Sequence, residues 1–454
     1  MPVCHRARSR DSCVFGEGPV ALPAAELGRG CTQCLLQNAR GQPWVSAKEA
    51  EARRGGALDR AGARSRGQSW PSHGNTQRVL EAMMSHNQRV CARCVLDAGV
   101  PDVEFDEKGT CNYCKLHDEM EERFPVGEIG RQRLHRIVSR VKSEGEKKRY
   151  DCVVGVSGGT DSTYCLVLAK KLGLRPLAVH LDNGWDTEIA INNMNNVTSQ
   201  LGIDLRVVKC DWEEFKDLQI SFLKASVPDA EIPTDTGIKS VLYRVAVEHN
   251  AGYIISGGNF RTEGVVPRRW TYMDGRYIKS VHQRFGKTEL VSFPNLTAWD
   301  HFYYLFVKRV KAVRLLNFVD YRKEDVIRTL EKELPWRYYG GHHYESVYTR
   351  FVSAYLLYHK FGIDKRKIEY AALVRSGQMT REEALRKLGE DPWPKDRTEQ
   401  DIECVTSKLE MSRDEFEQLL SRSPKTFLDY PTYYPVIRMW MPALRLVARL
   451  RSRL

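Results

Sequence analysis

Residues 151–163, DCVVGVSGGTDST, constrain this chain more than any other stretch. An apolar run of strand length ends at Val156. The turn Ser157-Gly158-Gly159-Thr160-Asp161-Ser162 then leads into a helical pattern reaching about Leu172. Glycines let the backbone approach an anion closely and adopt conformations that other residues resist. The N-terminus of the following helix adds unpaired N–H groups and a favourable dipole. Hydroxyls of Ser157 and Ser162 complete a cradle for phosphate oxygens. No lysine follows the glycines, so this is not the GxxxxGK[ST] loop, and the spacing is not GxGxxG either.

The surrounding segments alternate. Residues 176–182 and 205–210 read as strands, 252–256 as a fourth, and helices are expected over 186–200, 212–225 and 238–250. Short apolar strands separated by helices predict an α/β fold with a parallel sheet covered on both faces. Ligands of such sheets bind beyond the C-terminal strand ends, and polar residues cluster there. After the second strand come His180-Leu181-Asp182-Asn183-Gly184-Trp185. Asp182 and Asn183 are candidate ribose or base ligands, while His180 suits a satisfied histidine within the sheet. After the fourth come Ser256-Gly257-Gly258-Asn259-Phe260-Arg261-Thr262-Glu263. Gly257 and Asn259 are expected at the nucleotide, Glu263 at Mg²⁺ or a substrate group, and Arg261 facing an anion. Lys239, at the start of a predicted helix, would stabilise charge as pyrophosphate departs. Asp161, Lys239 and Glu263 form the expected catalytic set.

Cys91-x-x-Cys94 and Cys111-x-x-Cys114 are separated by sixteen residues. Each pair turns two thiolates toward one point, and together they complete a tetrahedron, the pattern of a structural zinc site. Four cysteines also suit an iron–sulfur cluster. A module this small lacks a sizeable core, so metal would supply much of its folding energy. Cys152 and Cys165 lie in apolar elements and read as small buried hydrophobes.

The chain has 454 residues, 42% hydrophobic and 28% charged, which is globular rather than disordered composition. A formal net charge of +12 suits anionic ligands such as nucleotides, nucleotide-sugars or RNA. Basic residues are spread among acidic ones, so a dedicated nucleic-acid module is not indicated. No run approaches 18 apolar residues and no signal-peptide pattern opens the chain, so a cytoplasmic protein without a membrane span is expected.

The expected organisation begins with a low-complexity extension over 1–84, disordered or preceding the true start at Met83 or Met84. A Cys4 module over 88–118, a helical linker over 119–148 and a nucleotide domain over 149–298 follow. A helical substrate-recognition region over 299–390 and a helical tail over 391–454 complete it. Within this scheme, 299–316 reads as one apolar core helix. The segment 335–350, PWRYYGGHHYESVYTR, offers Arg337, His342, His343, Glu345 and Arg350 for a diphosphate or sugar acid. Arginine suits such bidentate contacts.

The SGGTDS loop after a buried strand resembles the signature of the PP-loop ATP pyrophosphatases. That superfamily has an adenine nucleotide alpha hydrolase-like fold and cleaves ATP between the alpha and beta phosphates. The resemblance implies that Ser157, Gly158, Gly159, Thr160, Asp161 and Ser162 hold the pyrophosphate portion. Residues 91–114, HLDNGW, ISGGNFRTEG, GGHHYESVYTRF and 362–385 together resemble one branch, the N-acetyl sugar amidotransferases of bacterial surface-polysaccharide (lipopolysaccharide O-antigen) synthesis. It implies ATP and Mg²⁺ as reaction cofactors, structural Zn²⁺ and a nucleotide-linked N-acetyl sugar as substrate. Adenylation of the acetamido oxygen and attack by ammonia would give an acetamidino group. The chain shows no glutaminase domain, so a separate glutaminase subunit is implied. An oligomer fits this picture, and nucleic acid is not expected as a partner. The competing reading is a tRNA-thiolating PP-loop enzyme, for which Cys210 is the only candidate sulfur carrier. A zinc-bearing interaction protein without catalysis is the third.

Overall fold

A computed structural model describes residues 89–341, 343–391 and 395–439. The readings made for 1–84 and for His342 lie outside the described residues. The cysteine module leads into helices α1 (Asn112–Arg123) and α2 (Gly127–Gly145). The central domain alternates β1 (Cys152–Gly155), α3 (Thr160–Lys171), β2 (Pro176–Asp182), α4 (Glu188–Leu201) and β3 (Leu205–Lys209). It continues through α5 (Trp212–Ala225), α6 (Ile232–Glu248), β4 (Tyr253–Ile255), the single turn α7 (Phe260–Glu263), α8 (Gly275–Phe285) and α9 (Ala298–Phe302). After β5 (Lys311–Val313) come α10 (Lys323–Glu333), α11 (Val347–Phe351), α12 (Arg366–Arg375), α13 (Arg381–Leu388), α14 (Lys395–Lys408) and α15 (Arg413–Ser421).

The five strands pair in parallel in the order β3-β2-β1-β4-β5. Strand β1 touches both neighbours, with Val153 opposite Leu177 on one side and Ile254 on the other. The chain steps outward from β1 to β3, then returns to build β4 and β5 on the opposite side. That reversal opens a crevice between the ends of β1 and β4.

Alternation along β1 explains why both faces are apolar. Cys152 and Val154 point into a core with Leu134, Val138 and Val141 of α2, Cys165 and Leu166 of α3, and Met194 and Val197 of α4. Val153 points the other way, into a core with Val241, Leu242, Val245 and Ala246 of α6. The amphipathic linker helix is thus a covering layer of the sheet. Asp151, just before β1, is tied to Arg175 before β2, with Oδ1 2.6 Å from the guanidinium.

Residues 299–316 are not one core helix. The segment gives α9, a π-turn over Tyr303–Val307, then β5 and a 3-10 turn over Leu315–Phe318. Trp299 is 78% exposed and Phe306 57%, while Tyr304 stacks on Tyr243 of α6 at 5.1 Å. Apolar content suggested a helix, but Lys311, Ala312 and Val313 find open backbone groups beside β4. Pairing there overrides local periodicity.

Candidate active site

The phosphate loop is anchored from beneath. Gly158 has φ +73°, and a side chain there would collide with the Ala190 carbonyl oxygen of α4. The Gly158 carbonyl accepts from Asn193 Nδ2 at 3.2 Å and Trp336 Nε1 at 3.0 Å. Asn193 also donates to the Arg337 carbonyl at 2.8 Å and accepts from the Arg337 amide at 2.9 Å. Within the loop, the Ser157 amide donates to Ser162 Oγ at 3.1 Å, and the two serine hydroxyls lie 3.1 Å apart. Gly257, after β4, lies where an added Cβ would come within 3.0 Å of the Asp161 carbonyl and Ser162 amide. Glycine at 257 therefore lets the β4 end close on the first turn of α3. The Thr160 amide donates to the Tyr339 hydroxyl at 3.0 Å.

The segment 345–349 is brought to this loop by backbone pairing. Ser346 bridges Asp186, Thr187 N–H donates to the Glu345 carbonyl at 2.9 Å, and Val347 N–H donates to that of Trp185 at 3.0 Å. An added Cβ on Gly159 would sit 3.3 Å from Glu345 Cδ and 3.2 Å from the Tyr339 hydroxyl. Glu345 and the neighbouring His343, 3.6 Å away, thus face the loop.

Asp161, Glu263, Glu345 and Glu369 sit deep in the protein yet keep half-buried side chains, so they line a cleft. Burial pushes the Asp161 carboxyl up, opposed by Lys323 and the Tyr321 hydroxyl that it accepts from. Burial and the nearby Asp161 raise Glu263 to about 7. Burial raises Glu369, opposed by Lys323 at 3.8 Å. Burial also opposes ionisation of Glu345, but His343 outweighs it and holds the group below its ordinary value. Two crowded carboxylates such as Asp161 and Glu263, each destabilising the other's charge, suit a hard divalent cation. The donor set therefore fits Mg²⁺.

Sequence reasoning selected Asp161, Glu263, His343 and Glu345, and the structure gathers them here. Tyr321, Lys323, Tyr339 and Glu369 were missed. Only the aromatic density of 335–350 hinted at Tyr339; Glu369 lies in the family-like stretch 362–385, and Tyr321 and Lys323 sit in no motif.

Several candidates are used elsewhere. Arg261 is 5% exposed and is spent on the protein's own carboxylate, Glu121. It donates to Glu121 at 2.6 and 2.8 Å, to the Phe124 carbonyl at 2.7 Å and to that of Asn317 at 2.9 Å. Arg350 is likewise buried in a pair with Asp401, its Nε 2.7 Å away. Asn259 caps α7, accepting from the Arg261 amide at 2.9 Å and donating to Thr262 Oγ1 at 2.7 Å. Arg337 contributes its backbone to the Asn193 clamp, with its side chain exposed. Lys239 lies inside α6 rather than at a helix start. It donates to Met273 Sδ at 3.1 Å, and burial lowers its pKa. Asp182 accepts from the Gly184 amide at 3.0 Å, and Asn183 from the Trp185 amide at 3.2 Å, so both shape the turn after β2. His180 is satisfied, with Nδ1 2.9 Å from the Val156 carbonyl and Nε2 2.8 Å from Asp186.

Cys91, Cys94, Cys111 and Cys114 are fully buried, with all four sulfurs within 4.8 Å of one another. The closest pairs are 3.6, 3.7 and 3.8 Å apart. This is a Cys4 cluster able to bind a metal. Arg375, at the end of α12, reaches Cys94 Sγ at 3.7 Å, and Arg381 of α13 donates to the Cys91 and Cys94 carbonyls at 3.1 Å. Helix α12 thus carries Glu369 in the cleft and Arg375 on the metal module. His117 is buried but is no member of the cluster.

Two families match parts of the chain. The queuosine biosynthesis protein QueC family matches residues 151–242, and the LPS biosynthesis protein WbpG-like, C-terminal domain family matches residues 345–445. An uncharacterized protein of Methanocaldococcus jannaschii is 25% identical over 313 residues, covering 67% of this chain and 95% of that protein. A 7-cyano-7-deazaguanine synthase of Myxococcus xanthus is 32% identical over 84 residues, 18% of this chain and 34% of that one. The solved U34-tRNA thiolase NcsA of Methanococcus maripaludis, with its 4Fe-4S cluster, is 15% identical at a TM-score of 0.27. That match covers 64% of this chain and 89% of the other, and is too loose to bear on function. A PP-loop ATP-pyrophosphatase-type domain of the QueC kind and a separate LPS-related C-terminal domain are therefore present. ATP-dependent ligase or synthetase chemistry is the activity class. Among the described residues no helix is long and apolar enough to cross a membrane.

Proposed function

We propose that the chain adenylates the acetamido oxygen of a nucleotide-linked N-acetyl sugar and replaces that oxygen with ammonia-derived nitrogen. One observation carries this reading: the region matching the LPS family begins at Glu345, the residue that faces the phosphate loop. A substrate-selecting domain would have to meet the reacting phosphate in this way. An amide oxygen is a poor leaving group, and adenylation turns it into AMP. The loop amides from Ser157 to Ser162 would hold the separating pyrophosphate, and preorganised donors act most strongly where charge develops. Asp161 and Glu263 would hold Mg²⁺, which neutralises phosphate charge when bound. Tyr321 and Lys323 orient Asp161 for that task. A separate glutaminase subunit would supply ammonia.

For the cysteine cluster we propose zinc. A tetrahedral ion with Zn–S bonds of about 2.3 Å sets sulfurs roughly 3.8 Å apart, close to the spacing observed. A cubane cluster interposes four irons and would spread them further.

The names of the matched proteins favour a second reading, because queuosine and deazaguanine outnumber lipopolysaccharide among them. In it, ATP would activate a nucleobase for sulfur insertion. Cys210, the candidate sulfur carrier, is pushed up to about 12 by burial, which suppresses the thiolate that chemistry needs.

The test is incubation with ATP-Mg²⁺, ammonium and a panel of UDP- and CMP-linked acetamido sugars, read by mass spectrometry. AMP and a sugar lighter by about one mass unit are expected, because O is exchanged for NH. Asp161→Asn should slow AMP release roughly a thousandfold. No product across the panel, with tRNA or iron copurifying, would replace this reading by the second.

A further inference from the structure

The start of α6 meets segment 346–349. Glu231, at the N-cap of α6, has its two carboxylate oxygens in unlike situations. Oε2 accepts from Thr349 Oγ1 at 2.6 Å, and that hydroxyl lies 3.0 Å from Ser346 Oγ. Oε1 is buried without a partner. The Tyr348 hydroxyl, on a residue only 1% exposed, is also buried without a partner, and it feels the Glu231 charge. A buried polar atom left unpaired costs about 1–3 kcal/mol, so a small polar species bonded to either atom would be stabilised there. Asp235, one helical turn on from Glu231, adds a second carboxylate; Lys365 and His343 face both from the other side.

Neither orphaned atom has appreciable accessible surface. A sugar ring has no room there, whereas ammonium is the size of one water molecule. We propose that Glu231 Oε1 and the Tyr348 hydroxyl form the ammonium subsite of this enzyme, with Glu231 as the group that takes the nucleophile's proton. This rests on the amidotransferase reading for its chemistry, though not for its occupancy. Burial raises Glu231 to about 7, which suits a group that gains and loses a proton near neutrality. In the step, one proton passes from ammonium to the Glu231 carboxylate. The freed nitrogen lone pair forms the new C–N bond. The C–O bond to the adenylate breaks with its electron pair leaving on AMP, and the surplus proton on nitrogen passes to solvent.

Thallium(I), an ammonium-sized cation with strong anomalous scattering, tests occupancy without any sugar. Crystals of the full chain soaked in thallium acetate should show a peak bonded to Glu231 Oε1. Occupancy should fall at least tenfold in Glu231→Gln and decrease in Tyr348→Phe. With the substrate panel, Glu231→Gln should raise the ammonium KM or lower kcat by about a hundredfold or more, while the ATP KM holds. No thallium at Glu231, or equal thallium in Glu231→Gln, overturns the subsite. So does a Glu231→Gln enzyme, folded by its thermal transition, with an unchanged ammonium response. Thallium at Glu231 with no amidination of any sugar keeps the subsite and removes the amidotransferase reading.

Discussion

In the cysteine module, all four ligand atoms come from residues 91–114, and each is fully buried against the others. In the nucleotide cleft, Asp161, Glu263, Glu345 and Glu369 come from four distant segments and stay half-buried, crowded by like charge. The module is a closed local device whose ligand completes its core. The cleft is lined by half-buried carboxylates, and Lys323 only partly offsets the burial of Asp161 and Glu369. Local spacing specifies the first; only the tertiary path of the chain specifies the second.

The sharpest way to break this comparison is to remove the zinc proposed for the module. Zinc-site binding energy is folding energy, on the order of 10 kcal/mol in zinc-finger peptides. Chelation, or Cys111→Ser, should therefore melt residues 91–114, read as loss of amide protection in hydrogen exchange. The cleft should respond through α12, with exchange rising around Glu369. A module that stays protected without metal would mean that packing alone closes it.

A smaller effect tests the tie between the two regions. Arg261 follows β4 but is spent on Glu121 of α1, just beyond the cysteines. Arg261→Ala leaves that carboxylate without its partner and should cost about 3 kcal/mol in denaturant unfolding, with the ATP KM nearly unchanged. A large rise in the ATP KM at unaltered stability would restore an anion-binding role.

The smallest effect concerns pH. Glu263 in the folded chain titrates near 7, above its ordinary 4.5. Between these values the folded state keeps a proton that the unfolded chain has released. Its stabilising contribution is thus complete below about 4.5 and lost as pH rises through about 7. Thermal melts from about pH 5 to 8 should show this decline in the wild type and a shallower one in Glu263→Gln, with added Mg²⁺-ATP flattening the wild type. Parallel curves for the two proteins would show that Glu263 titrates normally.

Much of the fold was legible because it is written locally. Apolar runs of strand length marked β1 to β4. The fifth strand was not legible. Lys311–Val313 is three residues long and follows an aromatic helical turn, so neither length nor period marks it. The site divides the same way. Ser157–Ser162 announce themselves by glycine and hydroxyl spacing, whereas Lys323 and Glu369 acquire meaning only once α10 and α12 pack over Asp161. Arg261, Arg350 and Asn259 misled because a polar residue near a strand end serves equally well as a cap or a buried pair. Composition does not distinguish these uses.

The strand order also bears on how the chain is made. The β1–β2 and β2–β3 pairings close over short spans, but Val153 and Ile254, roughly a hundred residues apart, must meet to form the crevice. During synthesis the phosphate loop emerges early, beside a bare strand edge with no β4 to cover it. The nucleotide cannot be gripped from both sides until translation has passed Val313, nor enclosed until Glu345 has left the ribosome. ATP can therefore reward only a polypeptide that already carries the segment around Glu345.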